Sequence, residues 1–284
     1  MPRLGVIGGS GVGRLAGFEL EQERRLETPF GLPAAPLRVG RLHGTPVAFL
    51  PRHGVGHEFT PTEVPYRANL HALKQLGVER VLSVSAVGSL REDLAPGDFV
   101  LVDQFIDRTV ARPRSFFGEG CVAHVPFGDP VDAAMLDALL EAAAEIPELR
   151  VVRGGVYLTM EGPQFSSRAE SELYRSWGCS VIGMTNGTEA KLAREAGLAF
   201  ASIAMVTDYD CWRAGQADVD VAEVIAVVKD NAAKVAALLA AAVPALHGLG
   251  PSPWRGIASR SLMTSPQTIP VATREKLALL LDEQ

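Results

Sequence analysis

The run Leu4-Gly5-Val6-Ile7-Gly8-Gly9-Ser10-Gly11-Val12-Gly13 passes within ten positions from uncharged, mostly aliphatic residues to a glycine-rich loop. A short apolar run that stops at glycines has the form of a buried strand followed by a tight turn. Runs of the same kind recur at 47–50, 81–87, 99–102, 156–160, 181–184 and 198–206. Helical patterns lie between them: 65–76 closed by Gly77, a Ser167-Arg168-Ala169-Glu170 capping box closed by Gly178, and a long stripe from a cap at Asp220 through Val221, Val224, Ile225, Val228, Val235, Leu238, Leu239 and Ala242. This alternation predicts an α/β fold: one domain over 1–284 with a central mixed β-sheet flanked by helices. Residues 244–270, rich in Pro, Gly and Ser, are expected to wander over the surface before a short helix near 273–282. Together they make 244–284 a C-terminal extension.

Composition narrows the function. Of 284 residues, 47% are hydrophobic and 21% charged, which excludes a disordered or fibrous chain. A net charge of −6 offers no basic footprint for nucleic acid or an anionic membrane, so any bound anion needs a local site. Three scattered cysteines, with no C-x-x-C pair, suit a reducing cytoplasm. The start of the chain is too short for a signal-peptide core, and no apolar run approaches membrane length.

Several segments carry chemistry. The N-terminal glycine loop can turn backbone N–H groups towards an oxyanion, with the Ser10 hydroxyl as a further donor. It lacks the Lys and Ser/Thr of a nucleotide triphosphatase loop. The stretch 19–27 is too charged to read as the second strand of a dinucleotide fold. Arg52 and His53 follow an apolar run, where ligands of α/β proteins gather; the alternative is Arg52 pairing a carboxylate and His53 capping a loop. His53 and His57 are four apart, but two glycines intervene and no metal site is expected. Ser85 and Thr185 fall at further strand ends, so Ser10, Arg52, His53, Ser85 and Thr185 are all placed to converge on one anion. Asp208 and Asp210, two apart in extended chain, are expected on one side, where like charges raise one pKa and make a general acid. The alternative is a solvated loop with a capping aspartate.

At these residues the chain resembles the trimeric purine nucleoside phosphorylases, and within them the branch acting on 5'-methylthioadenosine. The resemblance runs from Gly5 to about Val243 through Gly8-Gly9-Ser10-Gly11, Arg52-His53-Gly54, Tyr66-Arg67-Ala68-Asn69, Ser85-Ala86-Val87-Gly88-Ser89-Leu90, Pro96-Gly97-Asp98-Phe99 and Asp103-Gln104-Phe105-Ile106-Asp107-Arg108-Thr109. Further on it includes Glu161-Gly162-Pro163-Gln164-Phe165-Ser166-Ser167-Arg168-Ala169-Glu170 and Thr207-Asp208-Tyr209-Asp210-Cys211-Trp212.

The resemblance implies phosphorolysis of an N-glycosidic bond, releasing adenine and 5-methylthioribose 1-phosphate, with inorganic phosphate as co-substrate and no cofactor. It places phosphate against Ser10, Arg52, His53, Ser85, the backbone of Ala86, and Thr185. It places the nucleoside against Ile182, Met184, Phe165, Ser166, Asp208 and Asp210. Aspartate at 208 and serine at 166, where relatives specific for 6-oxopurines carry Asn and Glu, point to a 6-aminopurine, since one carboxyl group can donate to N7 and accept from the amine. The resemblance also implies a homotrimer in which His124 is lent to a neighbour's sugar pocket, and a 5' pocket lined by Val221, Val224 and Ile225. For that apolar face the alternative is that all three residues merely hold the helix on the core. The chain departs from the family at Asn186-Gly187-Thr188-Glu189, where relatives have a proline-containing turn; a flexible Gly-Thr pair there is expected to loosen the position of Thr185.

Overall fold

In a computed structural model, which describes residues 2–10, 12, 15–213 and 221–281 apart from the side chains of 221–223, each of the seven apolar runs is a strand. In chain order the elements are β1 (Leu4–Gly8), β2 (Phe18–Arg24), β3 (Leu37–Leu42), β4 (Thr45–Pro51), α1 (Tyr66–Gln75), β5 (Arg80–Ser89), β6 (Phe99–Leu101), β7 (Gln104–Asp107), α2 (Ala133–Ala144), β8 (Val151–Arg153), β9 (Val156–Thr159), α3 (Arg168–Ser176), β10 (Val181–Gly183), α4 (Asn186–Glu195), β11 (Ala199–Asp208), α5 (Val221–Gly248), α6 (Ile257–Arg260) and α7 (Val271–Leu281). The strands form one mixed sheet in the order β2-β3-β4-β1-β5-β10-β9-β7, with β11, β6 and β8 branching from β5.

The centre of this sheet is β5. Along one edge it pairs with β11 in parallel from Arg80 to Gly88. The other edge is divided: Arg80 to Val84 pair with β1 in parallel, and Gly88 and Ser89 pair with β10 antiparallel. Among the described residues, Ser85, Ala86 and Val87 therefore have no strand beside them on that edge. The gap lies at the carboxyl ends of β1 and β4, where parallel sheets bind ligands.

Two of the sequence expectations are corrected here. Residues 18–24 do form a strand despite their charge. Strand β2 is an edge that pairs only with β3, and every residue after Phe18 is exposed, so charged side chains cost nothing there and discourage further pairing. Residues beyond 244 do not simply wander. Helix α5 continues through Pro244 to Gly248, and Leu246, Ile269, Leu277 and Leu280 are buried in the same core as β1, β4 and β11. Helix α2, unforeseen, is capped by Asp132, whose carboxylate accepts from the N–H groups of Ala134 and Met135. The capping box at Ser167 and Glu170 forms as expected. No helix of the described residues is long and apolar enough to cross a membrane.

One residue of α1 sets an acid limit on the fold. His71 is buried against the Phe30 ring, 5.5 Å between centroids, and neither ring nitrogen has a hydrogen-bond partner. Burial, aided by the Lys74 cation, holds its pKa down to about 4. The unfolded imidazole takes up a proton near pH 6.5, so the folded form binds fewer protons between those values and stability falls as pH drops through that window. His71→Leu should remove about 2 kcal/mol of that acid-side loss. Urea unfolding at pH 7.5 and pH 4.5 measures it, and an unchanged difference between the two pH values would contradict the assignment.

Candidate active site

Alternation along β5 determines what faces the gap. The Val84 carbonyl accepts from Gly9 N–H on the β1 side, so the N–H and carbonyl of Ala86, two residues on, point to that same side, into the gap. On the perpendicular axis, Ser83 and Ser85 share one face. The Ser85 and Tyr157 hydroxyls lie close together there, both buried, and neither makes a well-formed hydrogen bond. Ser85 is thus inside a strand rather than at its end; it is available because β1 stops one residue short of it. Ser10 sits in an exposed turn just past β1, and Gly11 and Gly13 lie outside the described residues. Gly9 must be glycine, since a Cβ would collide with the Arg52 guanidinium.

Arg52, immediately after β4, is 1% exposed and ion-paired to Glu189 of α4, also 1% exposed. Its Nε donates to Glu189 Oε1 at 2.6 Å, its Nη2 to Oε2 at 3.1 Å and to Ser83 Oγ at 2.6 Å, and its Nη1 to the Val84 carbonyl at 3.2 Å. Four of the five guanidinium N–H groups are committed within the protein, and the fifth, on Nη1, lies beside Gly9. His53 Nδ1 is 2.8 Å from the Phe59 carbonyl, which requires the proton on Nδ1. Burial and the neighbouring Arg52 push its pKa down to about 4, so the ring is neutral. Both structural alternatives raised for this segment, a carboxylate partner and a loop cap, are therefore present. The rings of His53 and His57 stack at 4.3 Å, and no group of His, Cys, Asp and Glu among the described residues could hold a metal.

The stretch 186–189 is not a loose turn. It is the buried first turn of α4, and Gly187 is a packing requirement: its N–H donates to Thr159 Oγ1 at 3.1 Å, and a Cβ would stand 2.5 Å from that oxygen. Thr185 is held by this helix start. Its hydroxyl lies 3.1 Å from Asn186 Oδ1, while Asn186 Nδ2 reaches Ser83 Oγ at 2.9 Å and Ser202 Oγ at 2.6 Å. Thr185 and Arg52 are thus joined through Asn186, Ser83 and Glu189.

At the other end of the gap, β11 slips register between Val206 and Asp208, bringing Asp208 opposite Gly88, where any Cβ would press on the carboxylate. Asp208 Oδ1 accepts Asp210 N–H at 2.8 Å and Oδ2 meets Thr207 Oγ1 at 2.6 Å. The two aspartates are not in extended chain as expected: Asp210 has φ +50° and folds back on Asp208. Both pKa values are raised, chiefly by burial; the like charge of Asp210 is a lesser cause for Asp208. Asp210 Oδ2 is buried near the Ser166 and Ser171 hydroxyls. Ile182 is buried below Gly88, Met184 is half-buried with its sulfur over Gly162, and Phe165 is exposed.

The outlying residues fall elsewhere. His124 is exposed on a loop, and its N–H donates to the Ser261 carbonyl. On α5, Val228, Val235, Leu238, Leu239 and Ala242 face the core, but Val224 is half-buried and Ile225 is 47% exposed, so the first turns do not simply hold the helix down. The Val221 side chain and the Asp220 cap lie outside the described residues.

Residues 3–244 match the family model of the phosphorylase superfamily. The chain belongs to that superfamily. Among curated phosphorylases, the S-methyl-5'-thioadenosine phosphorylase of Cereibacter sphaeroides is 54% identical over 93% of this chain and 91% of its own, and that of Koribacter versatilis is 49% identical over 98% and 95%. Among solved phosphorylases, a methylthioadenosine phosphorylase from an antarctic soil metagenomic library has a TM-score of 0.92 at 42% identity, covering 99% of both chains. A mutant of the Schistosoma mansoni adenosine/methylthioadenosine phosphorylase, in complex with methylthioadenosine, has 0.82 at 34%, covering 100% of this chain and 99% of its own.

The residues that sequence reading overlooked in this phosphorylase are those that hold the candidate site residues in place. Glu189, Ser83 and Asn186 fix Arg52 and Thr185. Arg112, with no exposed side-chain surface, donates to the Met184 and Glu161 carbonyls and to the Tyr66 hydroxyl. Only a buried arginine in search of a carboxylate hinted at Glu189. Glu189→Gln leaves the Arg52 charge half-answered in a buried site and should cost about 3–5 kcal/mol. The double variant Arg52→Met/Glu189→Leu should cost less than either single charge removal, as urea unfolding of the set would show. Equal or greater loss in the double variant would mean that the pair is not the source of the penalty.

Proposed function

We propose that this phosphorylase cleaves 5'-methylthioadenosine with inorganic phosphate, giving adenine and 5-methylthioribose 1-phosphate. The observation that carries this reading is the division of labour along β5. Polar groups suited to an oxyanion gather at Ser85 and Ala86, and a buried carboxyl group waits three residues on, at Gly88. That is about 10 Å of strand, room for a sugar between anion and base.

In the reaction a phosphate oxygen bonds to C1' as the C1'–N9 bond breaks, and the electron pair leaves with the purine. Positive charge grows on the sugar and negative charge on the base. Phosphate held by Ser10, Arg52, Ser85, the Ala86 N–H and Thr185 stabilises the first, and neutral His53, its Nδ1 proton engaged by the Phe59 carbonyl, borders the anion without donating to it. Asp208, whose pKa burial raises, gives a proton to N7 from its protonated form, while Asp210 and Ser166 border the base. Ile182, Met184 and Phe165 border the sugar and the base face. The similarity to S-methyl-5'-thioadenosine phosphorylases supports the nucleoside. No cofactor is invoked, since phosphate is the co-substrate and both proton and charge are handled by side chains. We assign the whole chain to one catalytic domain. We place it in a reducing cytoplasm, consistent with three buried free cysteines, and read it as a homotrimer in which His124 serves a neighbour's site.

Adenine release from methylthioadenosine should require phosphate, and Asp208→Asn should slow it at least about a hundredfold. Because the protonated carboxyl is the active form, kcat should fall as pH rises through the raised Asp208 pKa, and this alkaline limb should vanish in the variant. An Asp208→Asn enzyme with wild-type adenine kinetics would remove the residue from the mechanism.

Val224 and Ile225, turned away from the core, are read as lining for the apolar 5' group together with Val221. A methylthio group gains from burial against them, whereas a 5'-hydroxyl loses water without a partner. Ile225→Asn should therefore lower the preference for methylthioadenosine over adenosine about tenfold in the ratio of kcat/KM values. A fixed ratio would take this face out of the substrate pocket.

A further inference from the structure

The buried network behind Thr185 has a definite proton direction. Glu189, ion-paired to Arg52, has no proton to give, so the Ser83 hydroxyl, 2.7 Å from Oε2, must donate to it. The remaining capacity of Ser83 Oγ is for accepting, and it receives Arg52 Nη2 at 2.6 Å. The Asn186 side-chain atom 2.9 Å from Ser83 Oγ must then be the NH2 group, which also donates to Ser202 Oγ. This fixes the amide: Oδ1 faces Thr185, whose hydroxyl donates to it at 3.1 Å. Turning that hydroxyl away would strip Oδ1, in a fully buried residue, of its donor.

We propose that Asn186 makes Thr185 a hydrogen-bond acceptor towards the phosphate site, so that the site takes hydrogen phosphate through its P–OH group and discriminates against tetrahedral dianions that carry no proton. The proposal rests on the reading of Thr185 as a phosphate ligand. A Thr185 lone pair facing a bare anionic oxygen is repelled by it. Facing a P–OH, it accepts a hydrogen bond and orients the anion, leaving three unprotonated oxygens, one for attack on C1' and the others for the Arg52 N–H and backbone donors. Selection by an acceptor that rejects a near-isostere lacking the donor is strong because the mismatched polar group is left buried and unpaired.

The test uses phosphate, sulfate and monofluorophosphate at mildly alkaline pH, where all three are dianions of similar shape and only phosphate has a proton. Calorimetric dissociation constants are measured for the wild type and for Thr185→Val, which keeps the shape of the side chain. Wild type should bind phosphate at least about tenfold more tightly than the other two, and Thr185→Val should lose that margin by weakening phosphate alone. In Asn186→Leu, where Thr185 is free to donate, sulfate affinity should rise relative to phosphate; if that variant does not fold, the first pair still decides. Equal weakening of all three anions by Thr185→Val would leave Thr185 in the site and overturn its direction. No change for any anion would remove Thr185 from the phosphate site and overturn both readings.

Discussion

The ion pair between Arg52 and Glu189 is the interaction on which the rest of the site depends. Two charges, each with 1% of its side chain exposed, have left water, and their attraction offsets that cost only because the guanidinium fork matches the carboxylate and Ser83 and Val84 take the remaining contacts. The pair ties the end of β4 to the first turn of α4 across the face of β5. Gly9 exists to let the arginine in, Asn186 to answer the serine, and Gly187 to let α4 begin against Thr159. A hydrophobic filling of the same space would avoid most of the cost of burying charge but would leave no fixed donors.

Much of this was legible in the sequence, and the limits of legibility are physical. Buried strands announce themselves because both faces must be apolar, which is why all seven apolar runs were found, whereas β2, exposed on an edge, carries charges that mimic a loop. Arg52 and Thr185 stand out as polar residues at the ends of apolar runs, and Ser85 as a polar residue within one. Glu189, Ser83 and Asn186 do not, because their roles come from partners as many as 137 positions away. Gly187 was misread for a related reason: glycine serves both freedom and close packing, and only the neighbour that a side chain would strike tells them apart.

The aspartate pair shows how burial can do what like charge was expected to do. Period-two alternation suggested two carboxylates side by side, yet the register slip in β11 and the positive φ of Asp210 fold the second back so that its backbone supports the first. Removal from water then becomes the main force raising both pKa values. A carboxyl group whose pKa is raised this way depends on the strand keeping its irregularity, since a regular β11 would carry Asp208 past Gly88.

The divided edge of β5 means that the candidate site is a piece of sheet left out. Its floor is three residues that pair with β11 alone among the described strands, and its length is the distance between where β1 stops and where β10 starts. Side chains around the gap can retune which base or anion is preferred, but the span available to a substrate is set in whole residues of strand. A change in the length of the gap itself would have to come through insertion or deletion in β1 or β10, a step in backbone length that no single substitution supplies.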